Sequence, residues 1–321
     1  MNSGDPLRDL LVAAIQHQEA DEVEKARDLY LQILEQDPRH EKALHLAGLL
    51  CLQCGEYDGA RTLLDAAIEV NPDNPAYTNH LGVVSLRQDD LPAAIEMFRR
   101  ALAMDPTYAE AHFNLGIALR GLDDLDGAAS ALAEASRLDP DNDLTLVWAG
   151  VLANERGAAH EAAELLMRAA ELNPTNTEAL HQLGDVFVSL GAHEDAERCY
   201  RTALGITPEV AGIHGKLGSV LTQLGQLDEA RASFDTALAL NPGDPALLGG
   251  LALVQLDAGS ADQAKETADL AVAADDQSVD GHYALARIYR VMGDVDAART
   301  EAARVRELAP DNARYLDGLF I

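Results

Sequence analysis

The 321-residue chain is poor in cysteine and basic residues, and it contains no long hydrophobic run. Three cysteines are too few, and odd in number, for a disulfide framework, which favours a reducing compartment. No run of about 18 apolar residues is present, so the sequence predicts no membrane insertion. The N-terminus lacks the basic region and the uninterrupted apolar run of a secretory signal. We therefore expect a cytoplasmic protein.

Basic and aromatic residues are both scarce. The chain has 24 Lys and Arg against 54 Asp and Glu, a formal net charge of −30. Such a charge repels phosphate backbones and anionic lipids, so it argues against nucleic acid or a membrane surface as partner. Aromatic residues make up 4% of the chain, whereas 48% of it is hydrophobic and alanine is abundant. Small apolar residues favour close helix–helix packing, and we expect an all-α fold.

Proline recurs with a fixed period, which indicates an internal repeat. Seven prolines lie 34 residues apart and an eighth follows two periods later, with Asp276 in the position between: Pro38, Pro72, Pro106, Pro140, Pro174, Pro208, Pro242 and Pro310. Alanine fills a second position in every unit, from Ala26 to Ala298, and glycine fills a third in six units. A Gly or Asp midway through each unit suits a helix C-terminus, and the proline suits the end of a second helix. The pattern therefore predicts that each 34-residue repeat consists of a helix, a tight turn and a second helix.

These residues resemble the tetratricopeptide repeat (TPR), and the unit 109–140 is close to its consensus. The resemblance covers residues 7–312 and implies a right-handed α-solenoid whose first helices line a concave groove. We expect an N-terminal tail at 1–6 and the start of a capping helix at 313–321. Nine repeats are expected between them: 7–40, 41–74, 75–108, 109–142, 143–176, 177–210, 211–244, 245–278 and 279–312.

One side of each first helix is predicted to face the groove. The step of about 100° per helical residue turns the small positions toward the second helix and leaves the opposite side free. In repeats two to five that free side is rich in large apolar groups, and from repeat six onward it is polar or small. The predicted peptide-binding residues are His45, Leu49, Leu52, Asn79, Val83, Leu86, Phe113, Asn114, Ile117, Val147, Trp148 and Val151.

A contiguous apolar strip on a groove favours protein binding. The expected partner is an amphipathic helix or an extended apolar segment of another protein. Trp148 is the only tryptophan of the chain, and tryptophan is enriched at binding hot spots. The alternative is that neighbouring first helices lie so close that these side chains pack on one another.

The sequence offers no catalytic, cofactor or metal site. Cys51 and Cys54 form a C-x-x-C pair, but no second Cys or His pair accompanies them for zinc. Asp139, Asp141 and Asp143 have calcium-loop spacing, yet Leu144 stands where the loop needs glycine. We therefore expect a non-enzymatic protein-interaction scaffold within these residues.

A second function is left open by a further resemblance. Residues 10–50 are similar to the N-terminal TPR halves of bacterial glycosyltransferases related to O-GlcNAc transferase, and such halves also precede sulfotransferase or methyltransferase domains. That likeness implies recruitment of an acceptor protein, such as flagellin, for a catalytic domain absent here. The apolar end of the chain is expected to continue into such a domain or to pair in a homodimer.

Overall fold

The computed structural model describes residues 6–310 and is entirely helical over that range, which confirms the predicted all-α fold. The predicted tail at 1–6 lies outside the described residues except for Pro6, and the predicted capping segment at 313–321 lies wholly outside them. The eighteen helices of the described range are α1 Pro6–Glu19, α2 Val23–Gln36, α3 Glu41–Gln53, α4 Tyr57–Val70, α5 Pro75–Arg87, α6 Leu91–Met104, α7 Ala109–Gly121, α8 Leu125–Leu138, α9 Asp143–Glu155, α10 Ala159–Leu172, α11 Thr177–Ser189, α12 His193–Ile206, α13 Ala211–Gln223, α14 Leu227–Leu240, α15 Pro245–Asp257, α16 Ala261–Ala274, α17 Val279–Met292 and α18 Val295–Leu308.

Local sequence sets the ends of these helices. Asn142 accepts a hydrogen bond from the backbone N–H of Thr145 at the start of α9, and Asp90 caps α6 through Ala93 in the same way. The odd-numbered helices, called first helices below, are followed by the Gly or Asp predicted as a terminator. Gly55 after α3 has a φ of 76°, in the left-handed region that glycine enters without strain.

The chain forms two compact units, Met1–Arg156 and Gly157–Ile321. In the first unit α1 packs with α2, α3 with α4, α5 with α6, and α7 with α8. In three of these pairs, a large residue of the second helix lies directly on a glycine of the first. A Cβ atom added to Gly82 would come within 2.6 Å of a ring carbon of Phe98, which is fully buried. The small residues of the 34-residue pattern are therefore the places where two helices approach most closely.

The second unit is built in the same way. In it α11 packs with α12, α13 with α14, α15 with α16, and α17 with α18. Tyr200 and Phe234 fill the space over Gly184 and Gly218, as Phe98 does over its glycine. No helix among residues 6–310 is long and apolar enough to cross a membrane.

Candidate peptide-binding face

Four first helices of the first unit lie side by side, because α3 contacts α5, α5 contacts α7, and α7 contacts α9. The twelve residues predicted to bind a peptide lie on these four helices, and we call their shared surface the candidate face. Ten of the twelve are half-buried. Asn79 and Val147 are buried, with 0% and 3% exposure, so they support the face from beneath and do not line it.

The apolar residues of the candidate face are held by the core and remain partly accessible. Val83, Leu86 and Phe113 pack against a buried cluster built from α6, α7, α8 and α9, and Trp148 joins them there. These side chains therefore pack on their neighbours and still present surface, and binding to that surface stays a prediction. A cavity of about 440 Å³ opens on the same face, and it is lined by Leu49, Leu52, Gln53, Gly55, Tyr57, Val83 and Arg87.

Trp148 is half-buried beneath a cation. The guanidinium carbon of Arg120 lies 5.4 Å from the centroid of the indole ring, within the range of a cation–π contact. Arg120 is fixed by Glu155, whose Oε2 accepts a hydrogen bond from its Nε at 2.8 Å. That bond raises the pKa of Arg120 and lowers the pKa of Glu155, so the pair stays charged at neutral pH. One flank of the indole is thus covered by the chain itself.

A polar network joins α3, α5 and α7 beside the apolar residues. His45 Nε2 lies 3.0 Å from His80 Nδ1, so one imidazole donates to the other. Asn114 Nδ2 donates to Asn79 Oδ1 at 3.1 Å, and Asn79 Nδ2 donates to Glu110 Oε1 at 3.0 Å. Asn79 is therefore buried because it bridges two helices, which is a structural role that its position on the helix did not reveal.

Neighbouring first helices are linked at one recurrent spacing. His45 and His80, Asn79 and Asn114, and Arg120 and Glu155 are each 35 residues apart. This spacing is the repeat period plus one residue. It is the sequence signal that would have identified Arg120 and Glu155, neither of which was among the predicted site residues.

Burial controls the protonation of the histidine pair. Desolvation, together with the neighbouring His80, lowers the pKa of His45 to about 4. Desolvation also lowers the pKa of His80, although the Glu110 carboxylate opposes that change. Both imidazoles are consequently neutral at pH 7, which is the state in which one can donate to the other.

The low pKa of His45 predicts that acid destabilises the first unit. As pH falls below about 6.5, the unfolded chain takes up a proton that folded His45 accepts only near pH 4, so stability decreases across that interval. After a discount for partial exposure, we expect a loss of about 1–2 kcal/mol. NMR titration of the imidazole signals of the wild type and of His45→Gln measures the pKa of His45, from which this loss of stability follows. A His45 midpoint near its ordinary value of 6.5 would contradict the prediction.

In the second unit, α11 and α13 carry polar residues on the first-helix face, in keeping with the polar or small lining expected from the sequence. Lys216 on α13 forms an ion pair with Asp185 on α11, and Tyr200 Oη donates to Asp185 Oδ1 at 2.6 Å. Burial and this carboxylate raise the pKa of Tyr200. These residues border a cavity of about 730 Å³, lined by Asp185, Val188, Ser189, Gly191, His193, Tyr200, Lys216, Ser219, Val220 and Gln223.

The described residues contain three thiols and no cluster of metal ligands. Between residues 6 and 310, no three His, Cys, Asp or Glu side chains are grouped so that they could hold a metal ion. Cys51, Cys54 and Cys199 are free thiols. Burial raises the pKa of Cys199 to about 11, so this thiol is protonated at neutral pH and a poor nucleophile.

Three family models match the chain. Residues 74–243, about half of the chain, match the model described as Cilia and flagella-associated protein 70 C-terminal domain. Residues 17–80 and 221–280 match one tetratricopeptide repeat model, and residues 279–304 match another. No curated protein matches the sequence.

Solved structures share the fold. The Cut9–Hcn1 hetero-tetramer of the APC/C gives a TM-score of 0.62 at 20% identity, and the match covers 83% of this chain and 52% of that one. This chain therefore spans about half the length of that relative. A tetratricopeptide repeat protein of Parabacteroides merdae gives 0.55 at 17% identity, covering 73% and 93% of the two chains. YrrB, a TPR protein with an unusual peptide-binding site, gives 0.52 at 20% identity, covering 59% and 98%. Identities this low show a common fold alone.

Proposed function

This chain belongs to the tetratricopeptide repeat proteins, in the family described as the Cilia and flagella-associated protein 70 C-terminal domain, and we propose that it is a non-enzymatic scaffold that binds a polypeptide segment on its candidate face. The observation that carries the proposal is the apolar strip of α3, α5, α7 and α9, whose large side chains are fixed by the core and remain partly open to solvent. The nine repeats given above are part of the proposal, with repeats two to five supplying the contacts.

The partner that fits this surface is an amphipathic helix or an extended apolar segment. Complete burial of a large apolar side chain contributes about 1.5–3 kcal/mol. Covering the exposed parts of Phe113, Ile117, Trp148 and Val151 with a partner therefore favours binding. The cavity beside Leu49 has room for an apolar side chain of the partner. YrrB, which shares the fold, is described with a peptide-binding site, in keeping with this choice.

Photo-crosslinking from single positions tests the proposal. A photo-reactive amino acid is placed at position 148 or 117 on the candidate face, and at position 31 on α2 as a control. Leu31 is a suitable control because it is 52% exposed and lies on a second helix. We expect positions 148 and 117 to label one and the same segment of a partner, and the synthetic segment to bind the purified chain. Equal labelling from position 31 would refute a specific face.

A further inference from the structure

A cavity whose lining contains carboxylates and no cation lies at one edge of the candidate face. It has a volume of about 380 Å³, and its walls come from the start of α7, the end of α8 and the start of α9. The lining residues are Ala109, Glu110, Phe113, Asn114, Asp139, Asn142, Leu144 and Thr145. Two of these eight carry carboxylates and none carries a cation. Half-buried Phe113 and Leu144, which is 50% exposed, add apolar surface.

The carboxylate of Glu110 is oriented before any ligand arrives. Its Oε1 accepts a hydrogen bond from Asn79 at 3.0 Å, and its Oε2 accepts one from Tyr108 at 3.0 Å. Asn79 is in turn fixed by Asn114, and it is fully buried, so this support has little freedom to move. Each carboxylate oxygen can accept a second hydrogen bond, which leaves Glu110 able to receive a donor from outside the chain.

The charges around the cavity favour a cation. His80 Nε2 lies 3.7 Å from Glu110, but the lowered pKa of this histidine leaves it neutral at pH 7. Asp139 is the C-cap of α8, where the helix end adds negative partial charge. The N-termini of α7 and α9 each add a positive partial charge of roughly half an elementary charge, which the two full negative charges of Glu110 and Asp139 exceed.

We propose that this cavity receives a lysine or arginine side chain of the bound segment, with the charged group at Glu110 and the aliphatic stem against Phe113 and Leu144. Lysine and arginine suit such a cavity because their long stems are apolar and their heads are charged donors. The inference rests on the proposed function and narrows the partner to an apolar segment that carries a basic residue. It is consistent with the net charge of −30.

Selection from a library of random displayed peptides tests the inference. The library is panned against the wild type, Glu110→Gln and Glu96→Gln. Glu96 is an exposed residue on α6, so the two variants have the same net charge and differ in where the carboxylate was removed. Variants of equal net charge are needed because a chain of charge −30 attracts basic peptides non-specifically.

We expect wild-type-selected peptides to combine apolar residues with Lys or Arg at a fixed spacing. These peptides should bind Glu110→Gln about fivefold to tenfold more weakly and Glu96→Gln unchanged, because a charge-assisted hydrogen bond is lost only in the first variant. A peptide whose basic residue is changed to Glu should regain affinity for Glu110→Lys. If the selected peptides are apolar without a basic residue, or bind both Gln variants alike, the inference is wrong and the proposed function stands. If no peptide is selected by any of the three proteins, both the inference and the proposed function are wrong.

Discussion

Replacing Trp148 with alanine is expected to weaken binding of the partner segment by at least ~2 kcal/mol, about thirtyfold in Kd, with unchanged helix content. The indole is the largest side chain of the candidate face, and it is already held in place by the buried cluster of α6, α7, α8 and α9 and by Arg120. Binding therefore costs it little conformational freedom, and most of its contact energy is available to the partner. Fluorescence anisotropy of a labelled partner segment, or of a library-selected peptide, measures the change.

Two further variants make the Trp148 result interpretable. Leu240→Ala removes a large exposed side chain from α14, in the second unit, and should leave the affinity unaltered. Trp148→Phe should give an intermediate affinity, since it keeps an aromatic ring of smaller area. Because Trp148 also contacts the core, circular dichroism and a thermal melt of each variant must accompany the titration. If Trp148→Ala binds the segment as tightly as the wild type does, Trp148 is not part of the binding site.

Alanine at Gly184 is expected to destabilise the second unit by about 3 kcal/mol, at the upper end of the range for overpacked cores. The added Cβ would lie 2.4 Å from a ring carbon of Tyr200. That ring is 1% exposed and its hydroxyl is bound to Asp185, so it cannot turn away without breaking a hydrogen bond. Hydrogen exchange of the α11 and α12 amides reports this loss without assuming that the repeats unfold as one unit.

Gly205 provides the matched control for this substitution. It lies in α12, in the same helix pair, and a Cβ added there meets no atom within 4 Å. Gly205→Ala should therefore stabilise the helix by about 0.5–1 kcal/mol, since alanine has the higher helix propensity. Opposite signs for the two variants are the expected result. Stabilisation by both would mean that the contact of Gly184 with Tyr200 does not limit the packing of α11 on α12.

Much of the fold follows from the 34-residue pattern, because each of its positions has a local physical cause. Glycine or aspartate in mid-unit ends a helix in the left-handed conformation, as at Gly55 and Asp89. Small residues mark close helix contacts, as at Gly82 beneath Phe98. Periodicity along a single helix is enough to predict such features, since helix ends and helix pairs are formed by residues close in sequence.

The candidate site was predictable in outline and not in its contacts. The rotation of a helix gives the side on which a residue lies, but it does not give the distance to the next first helix. Asn79 and Val147 were therefore expected on the open surface, and both are buried. The histidine pair and the cover of Arg120 over Trp148 depend on the same distance and were not anticipated. The likeness to transferase-associated arrays, a homodimer through the C-terminal end and a cytoplasmic location stay predictions.

The bonds between first helices at a spacing of 35 residues have a consequence for how this chain tolerates changes in length. One residue inserted within the helical part between two bonded partners turns the second partner by about 100° and removes it from reach. Addition or loss of an entire 34-residue repeat keeps the 35-residue spacing within every neighbouring pair of repeats that remains. Length can therefore change in steps of whole repeats far more easily than by single residues, and recombination at repeat boundaries offers a route to longer or shorter arrays that keep this lateral bonding outside the junction.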